Sequence, residues 1–286
     1  MDELYTRVSK LAKQSLYQFI KNEEMSLLYY YFQSFFDYYT EKNTIKVMPH
    51  HFEGRKIEGL TIIDKSGISI SYEEENPTVK QNFTLCHELG HFMLEHEGVV
   101  FTDTEETREL QIEREANIYS AVILMPDIVL LSKIYYSRDT FFQVQKSLGV
   151  SREALYYRLL DLLREHFPYH DTDTRLTVEA YMTGKTHTIL RYFNKIKDTI
   201  VEEYNQYHPS LIYQVSRVIE ARDFVTSRDL PGLLEQDRWI DLKENIVNLK
   251  TWLIYNQGKT IAYAWDSRKL SDQEARKKAE LELLLM

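Results

Sequence analysis

Apolar residues at helical spacing run through Phe83, Leu85, Leu89, Phe92 and Met93, which predicts an amphipathic helix there. Asn76-Pro77 just upstream reads as an N-cap followed by proline at the first helical position. Before it, residues 1 to about 43 read as helices, with a dense aromatic block at Tyr29-Tyr30-Tyr31-Phe32, Phe35-Phe36 and Tyr38-Tyr39 that suits a core or docking face. Lys46–Met48, Ile57–Asp64 and Gly67–Tyr72 read as strands, the last two joined at Asp64-Lys65-Ser66-Gly67 as a hairpin.

Residues 97–104 then read as a loop, and Glu113–Met125 as a second helix ended near Pro126. A further helix is expected over Asp127–Tyr136. Phe142–Leu148, the turn at Gly149 and a helix capped by Ser151 have the helix–turn–helix pattern. The stretch 165–174 is polar, contains a proline and breaks the periodicity. Beyond it, helices are expected over 187–207, 211–224 and 242–255, with a stop at Asn256-Gln257-Gly258. A last helix opens on the capping box Ser271-Asp272-Gln273-Glu274. The expected organisation is 1–126, a helical segment over 127–166, and a mostly helical region over 167–286.

Composition narrows the function. With 286 residues and 43% hydrophobic content the chain can bury a substantial core. A net charge of −9 argues against a protein that mainly grips nucleic-acid backbone. One cysteine excludes an intramolecular disulfide and fits a reducing compartment. The start, Met1-Asp2-Glu3-Leu4, lacks the basic-then-apolar pattern of a signal peptide. No apolar run reads as reaching the roughly 18 residues a membrane helix requires. A cytoplasmic location and no membrane partner are expected.

The chemistry lies in His87-Glu88-Leu89-Gly90-His91. Residues four apart share one helix face, so His87 and His91 can aim two imidazoles at one Zn²⁺. Glu88, about 100° around the helix, borders such an ion without binding it, which suits a general base acting on an activated water. A third ligand is needed. Glu113 follows His91 by 22 positions, room for one helix to end and another to pack back. Glu115 points about 200° away from Glu113. Glu113 is preferred because Asn117, one turn later, can hydrogen-bond a ligating histidine; Glu109 and Glu115 are the alternatives. His96 lies about 140° off the ligand face, which argues against a ligand role, and Cys86 reads as a packed small residue.

Phe-Thr-Leu-x-His-Glu-Leu-Gly-His, then Glu-x-x-Ala-Asn, then Leu-Met-Pro, together spanning 83–126, resemble the ImmA/IrrE family of zinc metallopeptidases, over about residues 25 to 165. The chain departs from the family in having Cys86 where alanine is common, and Leu94-Glu95-His96 where a Leu-His pair is common. The resemblance implies an α+β fold: a zincin-like domain of helices and a small sheet, here followed by the mostly helical C-terminal region. It implies one Zn²⁺ on His87, His91 and Glu113, with Glu88 as base. Its implied substrate is a helix–turn–helix transcriptional repressor, cut to derepress mobile-element or stress-response genes. In zinc peptidases of similar build an extended substrate pairs with the strand edging the cleft; Ile68, Ser69 and Ile70 are the candidates, unless their strand is central.

The oxyanion donor a peptidase also needs could be His50, His51, Tyr72 or Tyr119. Two other readings stand beside the peptidase. One is a non-cleaving anti-repressor on the same scaffold. The other is a DNA-binding regulator using 141–163 through Arg152, Tyr156 and Arg158, although proteins resembling this family commonly carry such a segment.

Overall fold

The computed structural model describes residues 3–52, 57–102 and 110–285. The chain divides into two compact units, 1–207 and 208–286. The first begins with helices α1 (Glu3–Asn22) and α2 (Gln33–Lys42). Strands β1 (Lys46–His50), β2 (Gly59–Asp64) and β3 (Gly67–Glu73) follow, then α3 (Thr78–Met93), β4 (Val100–Thr102) and α4 (Gln111–Leu124). A short α5 (Asp127–Leu130) runs into a π-helical turn, Leu131–Tyr136. Helices α6 (Phe141–Leu148), α7 (Arg152–His166), α8 (Asp171–Met182) and α9 (His187–Gln206) complete the unit.

The four strands are ordered β1-β3-β2-β4. β3 pairs parallel with β1 on one side and antiparallel with β2 on the other. The hairpin at Asp64–Gly67 forms as the turn residues predict. β4 lies within the stretch expected to be a loop, where it pairs antiparallel with β2. One core joins α1 to the later helices: Leu16, Phe19 and Phe35 share it with Leu130, Leu159, Val178, Phe193 and Ile200. The aromatic block is thus largely interior, with Tyr29 an exposed exception.

The expected break near residue 167 falls inside this unit. Phe167 N–H still bonds to Leu163, and α8 and α9 bury Val178, Tyr181, Ile189, Phe193 and Ile196 in the common core. Polar composition there marks a turn between packed helices, not a linker. Gln111–Tyr136 is also long and apolar enough to cross a membrane, contrary to the sequence reading, but 78% of its apolar window is buried in the structure. Its apolarity is spent on the core.

Buried charges tie four helices together. Asp127, fully buried at the start of α5, bonds to Arg158 of α7 and lies 2.6 Å from the ammonium of Lys13 in α1. Lys13 also reaches Glu203 of α9 at 2.9 Å. Arg158 donates to Met125 O at 3.1 Å and to the Tyr5 hydroxyl at 3.3 Å. Burial alone would push the Asp127 carboxyl up, but Arg158 and Lys13 outweigh it and hold the group well below its usual range. This overturns Arg158 as a DNA contact: its guanidinium is inside, 1% exposed. The helix–turn–helix pattern is present, with Gly149 left-handed at φ 63° and Ser151 capping α7, but its second helix turns a face inward.

The second unit comprises α10 (Leu211–Arg222), β5 (Phe224–Thr226), α11 (Trp239–Asn245), β6 (Leu249–Asn256), β7 (Lys259–Asp266) and α12 (Asp272–Leu284). Its three strands are ordered β5-β7-β6, all antiparallel. β7 alternates: Ala262 and Ala264 pack with α10 and α11 residues, whereas Ile261, Tyr263 and Trp265 pack with Ala275, Ala279 and Leu283 of α12. The helix expected over 242–255 stops at Asn245 and becomes β6. Asn256-Gln257-Gly258 is a hairpin turn, with φ 49° and 80° at its last two positions, the positive values a two-residue hairpin favours.

Removing one partner of a buried ion pair leaves the other unpaired in the interior and costs about 3–5 kcal/mol. Asp127→Asn should therefore destabilise the protein by about that amount in chemical denaturation, whereas Arg152→Ala at the exposed start of α7 should stay within about 0.5 kcal/mol. Equal unfolding midpoints for the two would contradict the buried network.

Candidate metal centre

The motif helix starts one residue later than its sequence suggests. Pro77 is the N-cap position, while the Asn76 side chain donates to Glu58 at 2.6 Å. α4 lies against α3, and glycine makes the close crossing possible: a Cβ on Gly90 would sit 3.3 Å from the Tyr119 ring and 3.4 Å from Ala116 Cα. Small residues at both motif positions thus bring Glu113 across to the histidines.

His87, His91 and Glu113 converge, each at most 3% exposed. Their candidate ligand atoms lie within 4.8 Å of one another. His87 Nε2 is 3.0 Å from Glu113 Oε2 and 3.1 Å from His91 Nε2. His91 Nε2 is 3.6 Å from Glu113 Oε1. Burial alone would raise the Glu113 pKa, but hydrogen bonds to the two imidazoles outweigh it and bring it down to about 2. Burial also lowers the pKa of His91, favouring the neutral ring that binds metal.

Outer hydrogen bonds orient both rings. Asn117 Oδ1 lies 3.0 Å from His87 Nδ1 and can accept a hydrogen bond from Nδ1–H, the tautomer that would free Nε2 for a metal ion. The partner of His91 is His96. The Glu115 carboxylate can only accept, so His96 Nε2, 3.2 Å away, donates to it. His96 Nδ1 is 2.9 Å from His91 Nδ1, placed to take a hydrogen bond from Nδ1–H of that ring and so free its Nε2 for a metal ion in the same way. Arg7 at 2.6 Å and Gln111 at 2.7 Å keep Glu115 ionised and in place. Two imidazole Nε2 atoms and a carboxylate thus face one point, a donor set that fits Zn²⁺.

Glu113, not Glu115, faces the histidines, and Asn117 occupies the supporting position expected of it. Glu109 lies outside the described residues. His96 is not among the converging ligands, as its angle predicts, but it still reaches His91: α3 ends at Met93, Glu95 turns left-handed at φ 54°, and His96 comes back to bond His91 O through its backbone. The helical period does not apply beyond the helix end. Phe101 of β4 stacks on the His91 ring at 4.7 Å between centroids. Cys86 is fully buried, which pushes its thiol pKa well up.

Glu88 is buried against β2, where Thr61 Oγ1 donates to its Oε2 at 2.6 Å. Gly59 is required for this approach: a Cβ there would fall 2.3 Å from Glu88 Oε1. The signal was available, because a glycine inside a strand marks a close approach. Ile68, Ser69 and Ile70 are a correction: β3 is central, and both flanks of its backbone are already paired. It has no free edge to offer a peptide. Of the oxyanion candidates, His50 is in exposed β1, and His51 sits 3.5 Å from Glu73. Tyr72 lies in β3, and Tyr119 is buried with its hydroxyl 3.4 Å from Ser15 of α1.

Residues 40–160 match the family model described as the IrrE N-terminal-like domain, Peptidase_M78. No curated protein and no solved structure matches the chain. The matched segment is an ImmA/IrrE family domain, a peptidase-type hydrolase domain, and it contains all three converging residues.

Partners of a metal-bound imidazole typically support affinity by 10–100-fold. Asn117→Ala and His96→Ala should each weaken zinc binding by about that factor, measured by competition with a chromogenic chelator. Unchanged affinity in both would show that these bonds do not orient the rings.

Proposed function

We propose that the protein is a zinc-dependent endopeptidase acting in the cytoplasm. The observation that carries this reading is the convergence of two imidazole nitrogens and a carboxylate with Glu88 adjacent on the same helix. When bound, Zn²⁺ supplies Lewis acidity, making a water acidic near neutral pH and polarising a peptide carbonyl. His87, His91 and Glu113 would hold the ion, with Asn117 and His96 orienting the rings. Glu88 accepts the proton of the attacking water and delivers it to the nitrogen of the broken peptide bond. Thr61 fixes the carboxylate, and Gly59 leaves room for it.

The proposed substrate is a helix–turn–helix transcriptional repressor, cut to release mobile-element or stress-response genes. Its support is the family of the matched domain. A scaffold that acted by binding alone would have no use for a base held at this position. Burial of Arg158 removes one of the three side chains a DNA-binding reading relied on.

Glu88→Gln should retain zinc and lose about 10²–10⁴-fold in cleavage rate, the usual contribution of a general base. The assay is incubation of zinc-loaded protein with purified helix–turn–helix repressors of the same genome, reading new termini by mass spectrometry. Gly59→Ala should also lose rate with zinc retained, because its methyl group displaces the Glu88 carboxylate. Full derepression in cells by Glu88→Gln, with no cut repressor, would favour the non-cleaving anti-repressor.

A further inference from the structure

A cavity of about 240 Å³ opens between the first turns of α3 and the start of α7. Its lining includes Val79, Phe83, Leu124, Val150 and Ala154, with Lys80 also at the wall. The Lys80 ammonium is engaged by Glu58 at 2.6 Å. Leu124 and Val150 are each 1% exposed and form the floor. Drug-sized ligands take roughly 300–1,000 Å³, so this cavity suits one large side chain rather than a whole ligand.

Its position relates it to the metal centre. Val79, Phe83, His87 and His91 are spaced four apart on α3 and form one row along its surface. The Phe83 ring lies 6.3 Å from the His87 ring. Four residues of helix advance about 6 Å, and an extended peptide advances about 3.4 Å per residue. A peptide whose carbonyl is attacked beside His87 would therefore present a side chain to the cavity one or two residues away.

The far wall is held in place. Asn82 of α3 donates to Gly149 O at 2.8 Å and to the Tyr31 hydroxyl at 3.2 Å. Gly149 is left-handed at φ 63°, and a Cβ there would lie 2.7 Å from the Asn82 amide. That clamp fixes the turn that presents Val150 and Ala154.

We propose that this cavity is a specificity pocket for a large apolar side chain of the peptide substrate, such as leucine, methionine or phenylalanine, close to the bond that is cut. The helix–turn–helix-like segment then serves as the wall of a substrate pocket. The inference rests on the peptidase reading given above.

The test is cleavage-site profiling of the zinc-loaded full chain on a proteome-derived peptide library. The wild type should favour large apolar residues over alanine by ten-fold or more at one fixed position beside the cut, within the 10–200-fold range of apolar pockets. Ala154→Trp, which fills the pocket, should shift that position to small residues, and Val79→Ala should admit tryptophan. Zinc content and thermal unfolding of both variants identify any that fail to fold, and either folded variant alone decides the question. Cutting with no such preference, or with profiles unmoved in the folded variants, overturns the pocket and leaves the peptidase reading standing. A zinc-loaded wild type that cuts no peptide overturns both.

Discussion

Two imidazole nitrogens and a carboxylate are held close together away from water, where one cation would satisfy all three. The hydrogen bonds of Asn117 and His96 fix the two imidazoles with their Nε2 atoms 3.1 Å apart, and Glu113 adds a carboxylate held ionised. Much of the surrounding structure serves this arrangement. Gly90 and Ala116 let α3 and α4 cross closely, the turn after α3 returns His96 to His91, and Arg7 reaches from α1 to anchor Glu115.

The helices around the site are held by a second set of charges, three of them buried and Glu203 partly exposed. Lys13, Asp127, Arg158 and Glu203 connect α1, α5, α7 and α9 across large separations in sequence. Buried ion pairs are poor sources of net stability, but misaligning one is costly. In this chain the network fixes how α7 lies on α1 and α5, and with it the turn at Gly149 that faces the start of α3.

What could be read from the sequence was local. His87, Glu88 and His91 share one helix and obey one period, so their relation follows from spacing alone. Glu113 and Asn117 were readable for the same reason, each on one face of α4. The contacts of Glu88 were readable only in part: Gly59 marks a close approach, but which side chain makes it, and the bond from Thr61, depend on strand packing that no local pattern specifies. Nor was the order of the sheet: β3 resembles an edge strand until the parallel pairing of β1 is known. Arg158 lies on an amphipathic helix whose buried face includes one cation, and only Asp127, 31 residues away, explains it. In the second unit, Leu249–Asn256 carries apolar residues dense enough to pass for helix, and its β character follows from pairing with β7.

Metal content is the most direct measure of the central claim. Elemental analysis of the purified wild type and of Glu113→Ala, prepared side by side with zinc supplied, should give about one zinc per wild-type chain and far less in the variant. Equal zinc in both, or none in the wild type, would contradict a centre built on His87, His91 and Glu113.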